Sequence, residues 1–175
     1  MTPEQEGLIL GLVVSPGQHS HDPTTPEELL AAFGAVDGRK LCRDLLERAA
    51  SEGSANDVEL TLVMSDALGL DRTSLPVLKQ LAHESWHHSH EDIAKLLEDL
   101  GGAGMVDDLE FLAWAGPEFQ PYEGSTSLAR KVVHSLERIA TPETGAALSR
   151  LRRHPESDVR ALVDRIEQRT APQLG

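Results

Sequence analysis

One signal recurs along this chain and constrains its fold more than any other. A capping residue precedes an amphipathic stripe of helical period, and a glycine or a proline-led cap comes after it. Thr25-Pro26-Glu27-Glu28 opens such a segment, with Leu29, Leu30 and Phe33 on one face and Gly34 at its end. Asp37 caps the next, carrying Leu41, Leu45, Leu46 and Ala49 as far as Gly53. Asn56 is the expected cap of a third, with Leu60, Val63, Met64, Ala67 and Leu68 before Gly69. Further stripes are Leu75-Leu78-Leu81, Ile93-Leu96-Leu97-Leu100, Met105-Leu109-Leu112-Ala113 and Leu128-Val132-Leu136-Ile139. Thr141-Pro142-Glu143 introduces Ala147, Leu148 and Leu151, and Ser157 or Asp158 introduces Val159, Leu162, Val163 and Ile166. Residues three and four apart share a helix face, so each stripe predicts one helix with one buried side. Thr2-Pro3-Glu4 has the same opening form, so the apolar run Leu8–Val14 is assigned to a short helix. No stretch alternates as a strand does, and no Asn-Gly hairpin turn occurs.

The stripes pair, and the pairs repeat. Late apolar anchors at Leu68, Leu100, Leu136 and Ile166 succeed one another at intervals of 32, 36 and 30 residues. A lone helix pair cannot bury its stripe, so repeats of this length stack and share a core. Asp158-Val159-Arg160 after His154-Pro155 resembles the start of the second helix in a HEAT repeat, and Ser135 through Glu143 resembles the join between two repeats. Ser65-Asp66-Ala67-Leu68-Gly69-Leu70 echoes that join, although Val58 and Ile93 lack the arginine that would come next. The resemblance covers roughly Asp37 to Arg169 and extends to small bacterial HEAT-repeat proteins of no assigned activity. It implies an all-α, right-handed α-α superhelix of about four helix pairs. An N-terminal helical cap at 1–36, repeats at 37–170 and a tail at 171–175 would form a single domain. It also implies recognition of another protein rather than a reaction.

Charge narrows the partner. The chain holds 16 Lys+Arg against 29 Asp+Glu, a net charge of −13. Residues 130–175 reverse the sign locally, with nine basic and six acidic residues. Such a field disfavours nucleic acid and anionic membranes and favours a basic protein. The run Arg150, Arg152, Arg153, Arg160, Arg165 and Arg169 is read as a solvated surface with acidic neighbours. The longest apolar run is far short of the ~20 residues of a membrane span, and the expected compartment is the cytoplasm. Cys42 is the only cysteine, lies on an apolar stripe and has no internal disulfide partner. No phosphate-binding glycine loop and no Gly-x-Ser-x-Gly occurs, so no cofactor is expected.

His83-Glu84-Ser85-Trp86-His87 has the form H-E-x-x-H. On a helix, that spacing brings two imidazoles to one face to hold zinc, while the glutamate activates water. Asp107 or Asp108, twenty or twenty-one residues past His87, would supply the third ligand this alternative requires: a zinc hydrolase using His83, His87 and Asp107. Against it stand the missing sheet edge and the position of the motif at the end of a repeat's first helix. There His87 and Trp86 would close a helix end and fill space between layers, without metal or catalysis. A further alternative is a simple divalent-metal-binding or proton-sensing cluster of His83, His87, His88 and His90, and His19-Ser20-His21-Asp22 forms a second cluster in a loop.

Six aromatic residues occur, and Phe111, Trp114, Phe119 and Tyr122 fall within twelve positions. Phe119 and Tyr122 lie in a long connection, and Trp86 lies in the corresponding connection of the preceding repeat. Stacked repeats would place both on one edge. Trp86, His87, His90, Phe119 and Tyr122 are therefore the expected partner-binding residues, unless the rings fold back onto the core. The functional expectation is a non-catalytic protein-binding module, of the kind that would suit an acidic inhibitor or immunity protein for a basic toxin enzyme.

Overall fold

The computed structural model describes residues 1–13, 24–119 and 126–170. These are helical, with no β-strand among the described residues. Ten α-helices are present among them: α1 (Pro3–Leu10), α2 (Pro26–Phe33), α3 (Gly38–Glu52), α4 (Ala55–Leu68), α5 (Leu75–Ala82), α6 (His90–Gly101), α7 (Val106–Trp114), α8 (Ser127–Ile139), α9 (Pro142–Leu151) and α10 (Ser157–Thr170). No helix among the described residues is long and apolar enough to cross a membrane.

Local chemistry sets most boundaries. Thr2, Thr25 and Thr141 each accept the amide three residues on, and that third residue (Gln5, Glu28, Thr144) returns a bond to the cap backbone. Each has proline as its next residue, whose missing N–H costs nothing in a first turn. Gly34 and Gly53 end α2 and α3 in the left-handed conformation, at φ 62° and 65°. One start differs from expectation. Ser54, not Asn56, caps α4: its hydroxyl accepts the Asp57 amide at 3.4 Å, leaving Asn56 inside the first turn. Ahead of α5, a 3-10 turn at Arg72–Ser74 is capped by Asp71, which accepts the Thr73 amide at 2.9 Å.

The chain divides into two compact units, Met1–Val77 and Leu78–Gly175, with the boundary inside α5. In the first, α1 packs on α2 and α4, and α3 packs along α4. Helices α1 and α2 share one core with α3 and α4: Ile9 and Leu29 pack with Cys42, Leu45, Leu60 and Met64. Gly38 allows the close crossing of α3 and α4, because a Cβ there would lie 2.9 Å from the Leu68 Cβ. Cys42 is fully buried, and burial pushes its thiol up to about 12. At pH 8 only about one thiol in ten thousand is then ionised, so a maleimide should leave the native protein unlabelled and modify it once urea unfolds it. Rapid labelling of the folded chain would contradict this burial.

In the second unit α8 is the hub, packing against α6, α7, α9 and α10, while α7 also packs on α9. Helices two apart in sequence thus lie side by side. Paired charges mark the same offset twice. Arg138 on α8 grips Glu98 on α6 through two bonds of 2.5 Å, and Arg150 on α9 grips Glu110 on α7 at 2.6 and 2.5 Å. Both pairs join residues forty apart. The stripe residues Leu97, Leu109, Val132, Leu136, Leu151, Val159 and Val163 are buried, as their helical spacing predicts.

Candidate functional site

The H-E-x-x-H stretch is not helical. Helix α5 ends at Ala82, where the His83 and Glu84 amides bond to the Gln80 and Leu81 carbonyls at 3.1 Å each. These shorter-range bonds close the helix, and residues 83–89 form the connection to α6. The two imidazoles therefore do not share a helix face. His83 is exposed, and its Nε2 lies 3.0 Å from an Asp108 oxygen whose partner oxygen meets Lys79 at 3.1 Å. Of the two acids the motif's spacing offers, Asp108, buried on α7, stands beside His83, while Asp107 is exposed.

His87 faces inward and is fully buried. Its Nε2 donates to the Leu81 carbonyl at 2.9 Å, and its Nδ1 accepts the Ser89 amide at 3.3 Å. Both ring nitrogens are engaged, which fixes the neutral tautomer with the proton on Nε2. No lone pair remains for an ion. Among the described residues no three His, Cys, Asp or Glu side chains are grouped to hold a metal. The donor set of the zinc alternative is not assembled here.

The His90 ring stacks on His87, with centroids 4.3 Å apart and planes at 16°. Its Nε2 donates to the Glu84 carbonyl at 2.8 Å, while its Nδ1 is buried without a hydrogen bond. Phe119 closes the far side, edge-on at 4.9 Å, and Trp86 meets His87 edge-on at 5.0 Å. Desolvation inside this cluster lowers the His87 pKa to about 4, helped by the neighbouring His90 and His88. His90 is lowered too, by burial first, with the Glu84 carbonyl opposing.

This arrangement corrects the expected binding edge. His87 and His90 are 0% and 1% exposed and Phe119 is 8% exposed, so none presents a surface to a partner. They fill the gap between α5, α6 and the 3-10 turn at Pro117–Phe119, where desolvated rings stack better than they would face water. Trp86 is half-buried, its indole N–H tied to the Glu84 carboxylate at 3.0 Å. Tyr122 and the His19-Ser20-His21-Asp22 cluster lie outside the described residues.

Two features went unread in the sequence. The first is His154, which repeats the bonding of His87. Its Nε2 donates to the Ala113 carbonyl at the end of α7 at 2.9 Å, and its Nδ1 accepts the Glu156 amide at 3.1 Å just ahead of α10. In each case a histidine two residues before a Ser or Glu at a helix start links that start to the end of an earlier helix. The second is the outer face of α7, where Phe111 and Trp114 are 37% and 42% exposed. Phe111 lies over the His83 ring at 4.1 Å, and Trp114 lies against His154 at 5.1 Å. Both fall off the Leu109-Leu112-Ala113 stripe, and that offset was the available signal.

In comparison with known proteins, no protein-family model, no curated protein and no solved structure matches the chain.

Proposed function

We propose that this chain is a non-catalytic protein-binding module of HEAT-like, solenoid construction, acting in the cytoplasm on a basic protein partner. An inhibitor or immunity role against a basic enzyme suits such a module. The observation that carries the reading is the net charge of −13 spread over an all-helical scaffold. A strongly acidic surface accelerates and strengthens association with a basic partner and rejects polyanions. The repeat reading is supported within the second unit by α6, α8 and α10 packing in succession, with α7 beside α9, and by the two ion pairs at an offset of forty. The non-catalytic reading is supported by the uses found for the histidines. His87, His90 and His154 are engaged in closing helix ends and filling the interior.

The test is association measured against salt. The immobilised full chain should retain from its host's lysate a basic protein that re-forms a defined complex when both are purified. Raising salt from about 50 to about 500 mM should weaken that complex by at least tenfold, because the Debye length then falls well below the span of an interface. An affinity indifferent to salt would remove the basis of the proposal.

A further inference from the structure

We infer that the joint between α5 and α6 is a proton-operated latch. Uptake of protons by His87 and His90 releases residues 83–89 and the Phe119 turn and exposes the Trp86 and Phe119 rings, while α7 to α10 and the body of α6 stay packed. Ser89 does not cap α6 through its side chain, and its amide, at the start of that helix, is held by the His87 Nδ1 at 3.3 Å. A proton on Nδ1 must displace that amide, so charging the ring and holding the start of α6 exclude each other. The His90 Nδ1 is buried without a hydrogen bond, and its ring stacks on that of His87 at 4.3 Å. Two charged rings so close repel. The acceptors bonded to both Nε2 atoms are backbone carbonyls, of Leu81 and Glu84, which carry no full charge to offset a proton.

The charged groups on the surrounding elements are engaged elsewhere. On α5, Lys79 pairs with Asp108 of α7, whose other oxygen lies beside His83. The Glu84 carboxylate accepts the Trp86 indole N–H. In the first turn of α6, Glu91 and Asp92 lie 3.5 and 4.0 Å from Lys131 of α8. On α7, Glu110 grips Arg150, which also attracts Asp107. Glu118 folds back over Gly116. His88 disfavours charge on both rings. Burial is the first cause holding both below the ordinary histidine range, and the neighbouring carbonyls oppose it without overcoming it.

The release is local because the helix packing of the unit bypasses the joint. Helices α6, α7, α9 and α10 gather on α8, and α7 packs on α9, none of it through residues 83–89. The joint's own ties are the histidine bonds and the ring contacts from Trp86 through His87 and His90 to Phe119. A segment tied this way opens at a lower free energy than the whole unit. A released His87 takes its proton near the ordinary 6.5 and the closed one near 4, so opening becomes easier as pH falls between them. From pH 6.5 to pH 4.5 the opening constant rises about 40-fold through His87 alone.

The test is amide hydrogen exchange of the full chain, followed by NMR at both pH values with and without about 1 M urea, each rate corrected for its intrinsic pH dependence. Protection of the Ser89 and Phe119 amides should fall at least tenfold on acidification. It should not respond to urea, because a small opening exposes little surface, whereas the amide of the fully buried Leu136 on α8 should respond. In His87→Gln/His90→Gln the acid-driven loss at Phe119 should shrink to less than twofold. If that double change loses helical CD, His87→Gln decides, with an acid response at least threefold smaller than the parent's. Ser89 and Phe119 amides that exchange at the rate of Leu136 and with its urea dependence overturn the latch, because the unit then opens only as a whole. Amides already unprotected at the higher pH, or an acid response that survives the substitutions, overturn it as well.

Discussion

Acidification from pH 6.5 to pH 4 is expected to remove about 3 kcal/mol of stability from the second unit through His87 alone. The cause is burial of a neutral ring. His87 accepts the Ser89 amide on Nδ1 and donates from Nε2, so a second proton would break the first bond and place a charge in a dry cluster. Its folded pKa of about 4 lies below the ordinary 6.5, and the unfolded chain therefore binds the proton first as pH falls. The contribution is full above pH 6.5 and disappears as pH drops toward 4. The lowered His90 adds in the same direction. Both tryptophans lie in the second unit, so urea unfolding monitored by indole fluorescence reads it. His87→Gln keeps a donor and an acceptor but takes up no proton. In that variant the dependence of stability on pH should flatten by about one proton between these limits. An unchanged slope would mean that His87 is not the titrating group.

The second large effect is expected at Leu136. It is fully buried on α8, the helix against which α6, α7, α9 and α10 all pack. Four neighbours cannot all relax into the space left by a deleted isobutyl group, so Leu136→Ala should destabilise the unit by about 3–5 kcal/mol. Ser149→Ala, exposed on α9, should stay within about 0.5 kcal/mol of the parent in the same assay. A loss at Leu136 as small as that at Ser149 would mean that α8 is not the core helix.

The helices were legible because their signals are local. Thr2, Thr25 and Thr141, each with a proline next in the chain, announce starts that the backbone then adopts, and Gly34 and Gly53 announce stops. The stripes were legible because a 3.6-residue period has one natural burial solution. The H-E-x-x-H stretch was not, because its i, i+4 spacing mimics a helix face while its fate depends on distant partners. The Leu81 carbonyl, the Ser89 amide and the Phe119 ring turn His87 inward, and none of them is implied by the motif. The burial of His87, His90 and Phe119 was hidden for a related reason. Aromatics in a long connection carry no local mark of burial, whereas Phe111 and Trp114 were marked as outward by falling between the buried positions of α7. For His154 the available mark was a histidine two residues before a helix start, a pattern that gains meaning only once His87 is seen to do the same.

The central claim is that consecutive helices provide all of the scaffold and that the histidine motif is a joint between two of them. Backbone carbon chemical shifts across residues 72–119 test it most directly. The account predicts helical shifts over 75–82, 90–101 and 106–114, interrupted by non-helical values through 83–89. Helical shifts running unbroken from 75 through 89, which would return His83 and His87 to one face, or extended shifts anywhere in the three helices, would contradict it.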